Sequence, residues 1–581
     1  MSILFKNRTN NDNHKTSKKY NLTPFMNVKK HEDFREFIDS IALDFSQRNA
    51  FILKTSLSPA TYKYVTYSEY RNDICNLSAY LAKNFNLDEP IAVTGKNSYS
   101  WFLVYISVLY AGGTIVPLDK ELPVSELQSS LERSKSKVLF YDDAMADSMS
   151  EVKTGKLKKL DFIAMSSLED MLQEGTSLIL SGFKEHIERK IDPDAANIIL
   201  FTSGTTSMSK AVLLSHRNIL SNVYDGTSAE DFYESDVTMA FLPYHHTFGS
   251  TGQIVFLSVG ACTTYCDGLR YIQKNLKEYK VTVFFGVPLL IEAIYKKIIA
   301  NVKKQNKERK FAFGALVASS LKRARIDIRR KMFKEVIDNL GGDLRFLISG
   351  ASAINPNVVR GFNAMGIQTV QGYGMTETSP MISAENKYNM RTGSVGKAMP
   401  SVEVALSDVN DDGVGELIVR GPNVTSGYYE NPEETSALLR DGWLHTGDLA
   451  TIDNDGFIFI RGRKKNVIVL KNGKNVFPEE IETLLLDLPF IEECFVFSEK
   501  KNNKNGELAI GAKIVYKADY MKKVAELDSI VEIEKFIKEK ISDINSKMPV
   551  YKRISRLVIT DVPMIKTTTQ KVKRYEEMKS L

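Results

Sequence analysis

The chain has 581 residues, of which 43% are apolar and 25% charged, with a formal net charge of +6. This is the make-up of an ordinary soluble globular protein, long enough for several domains and large buried cores. So small a net charge does not by itself imply nucleic acid, and none is expected as a partner.

The first thirty residues are polar, rich in Asn and Lys, carry no secretory signal, and read as a disordered segment. Residues 101–118 are the best candidate for a membrane span. They contain Gly112-Gly113 and end near Pro117, so they read instead as a buried helix, a glycine turn and a short strand. A strand is expected at 197–201, then a hydroxyl-rich loop, then a helix opening at His216 with Ser215 as its cap. Cys262 and Cys266 are near neighbours, but no histidine or further cysteine completes a zinc set beside them, and Cys75 and Cys494 lie far away. Sparse cysteines suit a reducing cytoplasm. A strand at 281–285 leads to Pro288 at a helix start. From Lys296 to Lys334 fourteen basic residues face two acids, a local +12 that leaves the rest of the chain at −6. That stretch reads either as a solvated helical face or as a contact for an anionic membrane surface or an acidic partner.

Strands at 344–348 and 367–370 follow, each ending in a loop: Ser349-Gly-Ala-Ser352, then Gln371-Gly-Tyr-Gly-Met-Thr-Glu-Thr378. The alternation of strands and helices predicts an α/β large domain over 31–465, with mainly parallel sheets covered by helices. Ligands in such sheets gather beyond the carboxyl ends of the strands. Residues 453–456 form a hairpin turn between strands at 449–452 and 457–460. Beyond the charged linker 461–465 the texture changes, and a small α+β domain is expected over 466–581. Leu527-Asp-Ser-Ile530 reads as a helix start within it.

Three segments carry the chemistry. Phe201-Thr-Ser-Gly-Thr-Thr-Ser-Met-Ser-Lys210 offers backbone N–H groups, hydroxyls and a lysine, as a polyphosphate requires. It lacks the second glycine and the Lys-Ser/Thr pair of the common P-loop. In the 371–378 loop, Tyr373 can stack on a flat base, Thr376 can touch a phosphate, and Glu377 can hold Mg²⁺ together with phosphate oxygens. In His445-Thr-Gly-Asp448, Asp448 can accept both hydroxyls of a ribose, beside Arg461-Gly-Arg-Lys-Lys465.

In this combination and order the motifs resemble the adenylate-forming superfamily, closest to its long-chain acyl-CoA synthetases, over residues 66–574. The resemblance implies an N-terminal domain over 31–465 and a mobile C-terminal domain over 466–581 that turns about Lys465. It implies that Thr202, Ser203, Gly204, Thr205, Thr206, Lys210, Gly350, Ala351, Gly372, Tyr373, Asp448 and Arg463 bind ATP or AMP. It further implies that Thr376, Glu377, His246 and Lys571 serve catalysis, His246 at the acyl site within Leu242-Pro-Tyr-His-His-Thr-Phe-Gly249. Glu377 is implied as the metal ligand, and Lys471, Asn472 and Gly473 as contacts for CoA. Three places depart from the family pattern: Ser207 and Ser209 stand for glycine and proline, Gln570 for glycine, and Asn466 for an acid.

The implied reaction is ATP-dependent activation of a carboxylate, then transfer to a thiol, with ATP, Mg²⁺ and CoA required. No acid lies in Tyr244-His-His-Thr-Phe-Gly-Ser250 to pair a substrate ammonium, which disfavours amino acids. A long-chain fatty acid is the expected substrate, with apolar residues of 287–295 walling an acyl tunnel. CoA is the expected acceptor and an acyl-carrier protein the alternative. A non-catalytic nucleotide-binding protein is a distant third reading. The basic stretch adds an expected peripheral attachment at the inner membrane face.

Overall fold

A computed structural model describes residues 20–202, 209–323, 326–470, 474–500, 508–566 and 572–581. Among these, the large domain is built on three sheets. The first runs, edge to edge, Gly427–Tyr428, Lys210–Ser215, Ala196–Thr202, Ile115–Leu118, Ile91–Thr94, Val138–Tyr141, Asp161–Ala164. Its last five strands are parallel, and Lys210–Ser215 turns back antiparallel on Ala196–Thr202, pairing Thr202 with Lys210. The second sheet has six parallel strands at its centre, from Gln368–Gly374 through Phe346–Ser349, Val283–Gly286, Val237–Ala240 and Cys262–Tyr265 to Asn49–Leu57. Antiparallel strands close both of its edges. The third sheet is antiparallel and carries Trp443–Ile452 between Gly415–Arg420 and Ile458–Arg463.

The stretch read as helix, turn and strand folds that way. Ser98 caps helix Tyr99–Tyr110 by accepting the Trp101 N–H, and every residue from Trp101 to Tyr110 is buried. Gly112 then takes φ +78°, and all four residues of Ile115–Leu118 are buried. A parallel strand covered on both faces must be apolar throughout, which is why the run looks long enough for a membrane. Each large side chain so buried contributes roughly 1.5–3 kcal/mol. No helix among the described residues is long and apolar enough to cross a membrane.

Ser215 caps helix His216–Ala229 with a full capping box, and Gly456 takes φ +87° in the expected hairpin turn. Of the segment expected to be disordered, residues 20–30 are described. From Asn21 the chain is tied down: the Asn21 amide donates to the carbonyl of Val402, the Leu22 N–H to that of Ala398, and those of Phe25 and Met26 to that of Ser228. Four donors satisfied by carbonyls distant in the chain outweigh the polar local composition.

Beyond residue 465 the chain forms a sheet of Ile491–Lys500, Leu508–Tyr516 and Ile554–Thr560, packed by helices Pro478–Leu486 and Ile530–Lys547. Its core begins at Ile468 and includes Ile481, Leu485, Ile514 and Ile537. Among the described residues no apolar cluster holds side chains from both sides of Lys465.

Candidate functional site

The strand Gln368–Gly374 runs into a turn of 3-10 helix, Thr376–Thr378, that presents Glu377. Gly374 is obligatory there: a Cβ would lie 1.8 Å from the Pro380 carbonyl oxygen. Asn222 and Asn423 brace the turn by donating to the carbonyls of Thr378 and Met381. Ser379 takes φ +69° and donates its hydroxyl to the Asn423 carbonyl. The Glu377 carboxylate accepts the Tyr428 hydroxyl at 2.7 Å, and its carbonyl accepts the Thr425 N–H. Burial and then Glu377 itself push the Tyr428 phenol far above its usual range, so it remains a donor.

Asp448 and Arg463 face each other across neighbouring strands. The Arg463 Nε lies 2.9 Å from Asp448 Oδ1, and the Tyr373 hydroxyl donates to Oδ2 at 2.6 Å. Burial and the Asp448 carboxylate hold the Tyr373 phenol well above its usual range. Gly447, at φ +69°, bends the strand so that the Asp448 N–H reaches the Thr446 hydroxyl. The base-facing ring and the ribose-facing carboxylate expected from sequence are thus joined directly.

Lys210 ends the phosphate-type loop. Its ammonium pairs with Glu434 at 2.6 Å and lies 4.9 Å from the centre of the Tyr428 ring. Tyr428 therefore stands between Lys210 and Glu377. Thr202 donates its hydroxyl to the Lys210 carbonyl at 3.3 Å. Ser209, one of the departures, accepts from the Arg133 guanidinium with both its hydroxyl and its carbonyl. Asn466, another, donates to Glu479 at 2.6 Å, which an acid could not do. Lys465 lies within electrostatic reach of this group: burial, then the Arg463 and Lys210 cations, lower its pKa.

His246 precedes helix Thr247–Ser258, and its Nε2 lies 3.1 Å from that of His245, itself 3.4 Å from Asp119. Phe248 stacks on Phe285 and fills the space that a Cβ on Gly350 would need, 2.7 Å away. Ala351 adopts φ +75°, and a Cβ on Gly372 would touch the Ser383 carbonyl at 3.4 Å. Within 287–295, Pro288 and Ile291 are buried in the sheet-packing core, while Leu290 and Ile294 line a cavity of about 410 Å³ with Leu276, Phe311 and Phe333. Lys297, Lys307 and Lys310 stand at its rim.

Ser203, Gly204, Thr205, Thr206, Ser207, Lys471, Asn472, Gly473, Gln570 and Lys571 lie outside the described residues. Among the described ones no group of three His, Cys, Asp or Glu side chains could hold a metal alone. One carboxylate beside a phosphate site is nonetheless the donor set that Mg²⁺ takes from protein, the remainder being phosphate oxygens and water. Tyr428, Glu434, Arg133 and Glu416 escaped the sequence reading. The run Gly427-Tyr-Tyr-Glu-Asn-Pro432 was the one available signal, a glycine-aromatic loop before a proline-capped helix.

The family model of AMP-binding enzymes matches residues 38–429, and that of the AMP-binding enzyme C-terminal domain matches 465–580. Among curated relatives, peroxisomal long chain acyl-CoA synthetase 6 of Arabidopsis thaliana is 36% identical over 329 residues, which cover 54% of this chain and 47% of the relative. Long-chain-fatty-acid–CoA ligase 1 of Cavia porcellus is 28% identical over 476 residues, covering 75% of this chain and 68% of the relative. The matched segments thus span from about half to two thirds of these relatives. Among solved structures, anthranilate CoA ligase AuaEII in complex with anthranoyl-AMP aligns with a TM-score of 0.75 at 19% identity, over 96% of this chain and 98% of the other. ATP-bound MatB from Rhodopseudomonas palustris aligns with a TM-score of 0.72 at 23% identity, over 94% and 99%. At such identities these two show a shared fold.

Proposed function

The chain belongs to the AMP-binding enzyme family, and from that premise we propose that it activates a long-chain fatty acid and passes it to CoA. The carboxylate attacks the α-phosphorus of ATP, giving acyl-AMP and pyrophosphate. The CoA thiol then attacks the acyl carbon, expels AMP and loses its proton, giving the thioester. The observation that carries the reading is the junction of Tyr373, Asp448 and Arg463 beside Glu377, Tyr428 and Lys210. Side chains of the kinds that base, ribose, metal and phosphate would need lie near one another there, which supports the reading.

In the proposed roles, Asp448 takes the ribose hydroxyls, Tyr373 packs on the base, and Lys210 with Thr202 to Thr206 cradles the phosphates. Gly350, Ala351 and Gly372 contact the bound nucleotide. The first step brings two anions together, so fixed positive charge where negative charge builds up is the main catalytic need. Lys210 and Lys571 supply it from the protein, and Mg²⁺, when bound at Glu377, neutralises phosphate charge. Turning of the small domain about Lys465 withdraws Lys571 and brings Lys471, Asn472 and Gly473 to the CoA path. His246 borders the acyl site.

The long-chain assignment is supported by the names of the curated relatives and by the absence of an acid in 244–250. Carboxylate-dependent pyrophosphate release across a panel of acids, with and without CoA, tests it. Release with a long-chain acid, accelerated by CoA, is the expected outcome; release that only a carrier protein accelerates would reassign the acceptor. Silence with every acid would leave a nucleotide-binding protein.

A second observation concerns place. The basic stretch Lys296 to Lys334 carries exposed Phe313, Leu316, Ile326 and Met332 along with its charges. Cations beside exposed apolar side chains suit an anionic bilayer, from which a fatty acid would arrive. Flotation with liposomes of about 30% anionic lipid should carry the protein, and neutral liposomes should not; equal flotation with both would refute the attachment.

A further inference from the structure

Glu416 lies outside the proposed nucleotide contacts, yet it gathers four partners. It sits on strand Gly415–Arg420, opposite Leu449, with only 3% of its surface exposed. Its Oε1 accepts the Gly447 N–H at 3.1 Å, within the left-handed bend that aims Asp448. Its Oε2 accepts from the Lys464 ammonium at 2.9 Å and lies 3.2 Å from His445 Nδ1, with the Arg440 guanidinium at 3.8 Å. Burial alone would raise the pKa of this carboxyl; Lys464 and His445 outweigh burial and lower it. Lys464 also reaches the exposed Asp408, at 3.4 Å.

The two oxygens therefore join two segments. Oε1 holds the ribose loop through the Gly447 N–H, and Oε2, beside His445, holds the side chain immediately before Lys465. We infer that Glu416 is a positioning residue, a clamp that fixes Lys464, the residue before the pivot, to the ribose loop, so that turning of the small domain is confined to Lys465. This rests on the proposed two-step reading, in which that domain changes orientation between half-reactions. Without the ionic half of the clamp the pivot spreads over several residues, and the small domain visits unproductive orientations. Without either half, the ribose loop loosens too.

Glu416→Gln separates the halves. The amide oxygen still accepts the Gly447 N–H, while the ionic hold on Lys464 is lost. Glu416→Ala removes both, and Lys464→Met removes the hold from the other side. We expect Glu416→Gln and Lys464→Met each to lower kcat for acyl-CoA formation about tenfold, with KM for ATP within twofold of the parent. The double variant should be no worse than either alone. Glu416→Ala should raise KM for ATP as well. Hydrogen exchange on the full chain reads the same device without turnover: Glu416→Gln should speed exchange at 463–468 severalfold and leave 445–449 unchanged, and Glu416→Ala should speed both. Unchanged exchange at 463–468 in Glu416→Gln, additive losses in the double variant, or a raised KM for ATP in Glu416→Gln would each overturn the clamp. A parent protein that releases no pyrophosphate with any acid would instead overturn the catalytic reading, and the exchange measurement would still decide the clamp.

Discussion

Asp448→Asn is the sharpest probe of the nucleotide site. The side chain is 6% exposed and keeps its volume in the variant, so no cavity opens. What changes is charge. The Arg463 Nε at 2.9 Å and the Tyr373 hydroxyl at 2.6 Å now face a neutral amide, one of whose ends is a donor. Arg463 is partly exposed, so its ion pair is weak and contributes well under 1 kcal/mol. The tyrosine bond to a charged acceptor contributes about 1.5–3 kcal/mol, of which a neutral acceptor keeps roughly half. Stability should therefore fall by about 1–2 kcal/mol, leaving a folded protein. A ribose loses more, because both of its hydroxyls would donate to this carboxylate. Two charge-assisted bonds weakened by about 1 kcal/mol each predict a rise in KM for ATP of about thirtyfold. The assay is initial-rate pyrophosphate release against ATP and against 2′-deoxy-ATP. The parent should discriminate against the deoxy nucleotide, and the variant should lose most of that discrimination. A KM for ATP raised less than threefold, or full discrimination retained in the variant, would refute the ribose assignment.

The remaining predictions are quicker to state. Glu434 competes with phosphate for Lys210, so Glu434→Gln should lower KM for ATP about two- to fivefold and flatten its dependence on salt; an unchanged KM would show that the pair plays no part in binding. Gly374→Ala would drive a methyl into the Pro380 carbonyl, and thermal melts should show a loss of about 3 kcal/mol or more, or no folded protein. Glu385 is buried, which raises its pKa to about 7, with the Arg391 and Gln371 N–H groups partly opposing the shift. A carboxyl raised in the folded state stabilises below its unfolded value and loses that contribution as pH climbs to about 7. Glu385→Gln should therefore gain on the parent progressively from pH ~5 to pH ~8, by up to about 3 kcal/mol; a difference in melting independent of pH would contradict this.

Much of the fold is legible because local signals and burial agree. The 101–118 run declares its turn through Gly112 and Gly113, and Ser215 declares a helix start whose cap the structure contains. The hairpin about Gly456 follows from a positive φ that glycine adopts at little cost. Of the site, Tyr373 and Asp448 are readable as separate chemistries, but their 2.6 Å contact joins residues 75 apart in the chain. The parts that escaped are set by topology alone. Glu434 meets Lys210 across 224 positions, and Arg133 meets Ser209 across 76. Nothing near Glu416 in sequence announces that Gly447 and Lys464 will converge on it. The tethering of 21–26 was missed for the same reason: polar composition speaks of the segment, while the bonds to Ser228, Ala398 and Val402 belong to the whole.

The separate cores on either side of Lys465 set how costly it is for the lobes to part. The contacts between them include polar ones, such as the Asn355 amide on the Asp487 carboxylate, which water can replace. The proposed reorientation would break no apolar cluster shared by the two lobes among the described residues, so much of its free-energy change would come from exchanging one set of hydrated hydrogen bonds for another. Under the proposed two-step reading such a joint would be nearly flat in energy, and whichever ligand is present would tip it without weakening either lobe.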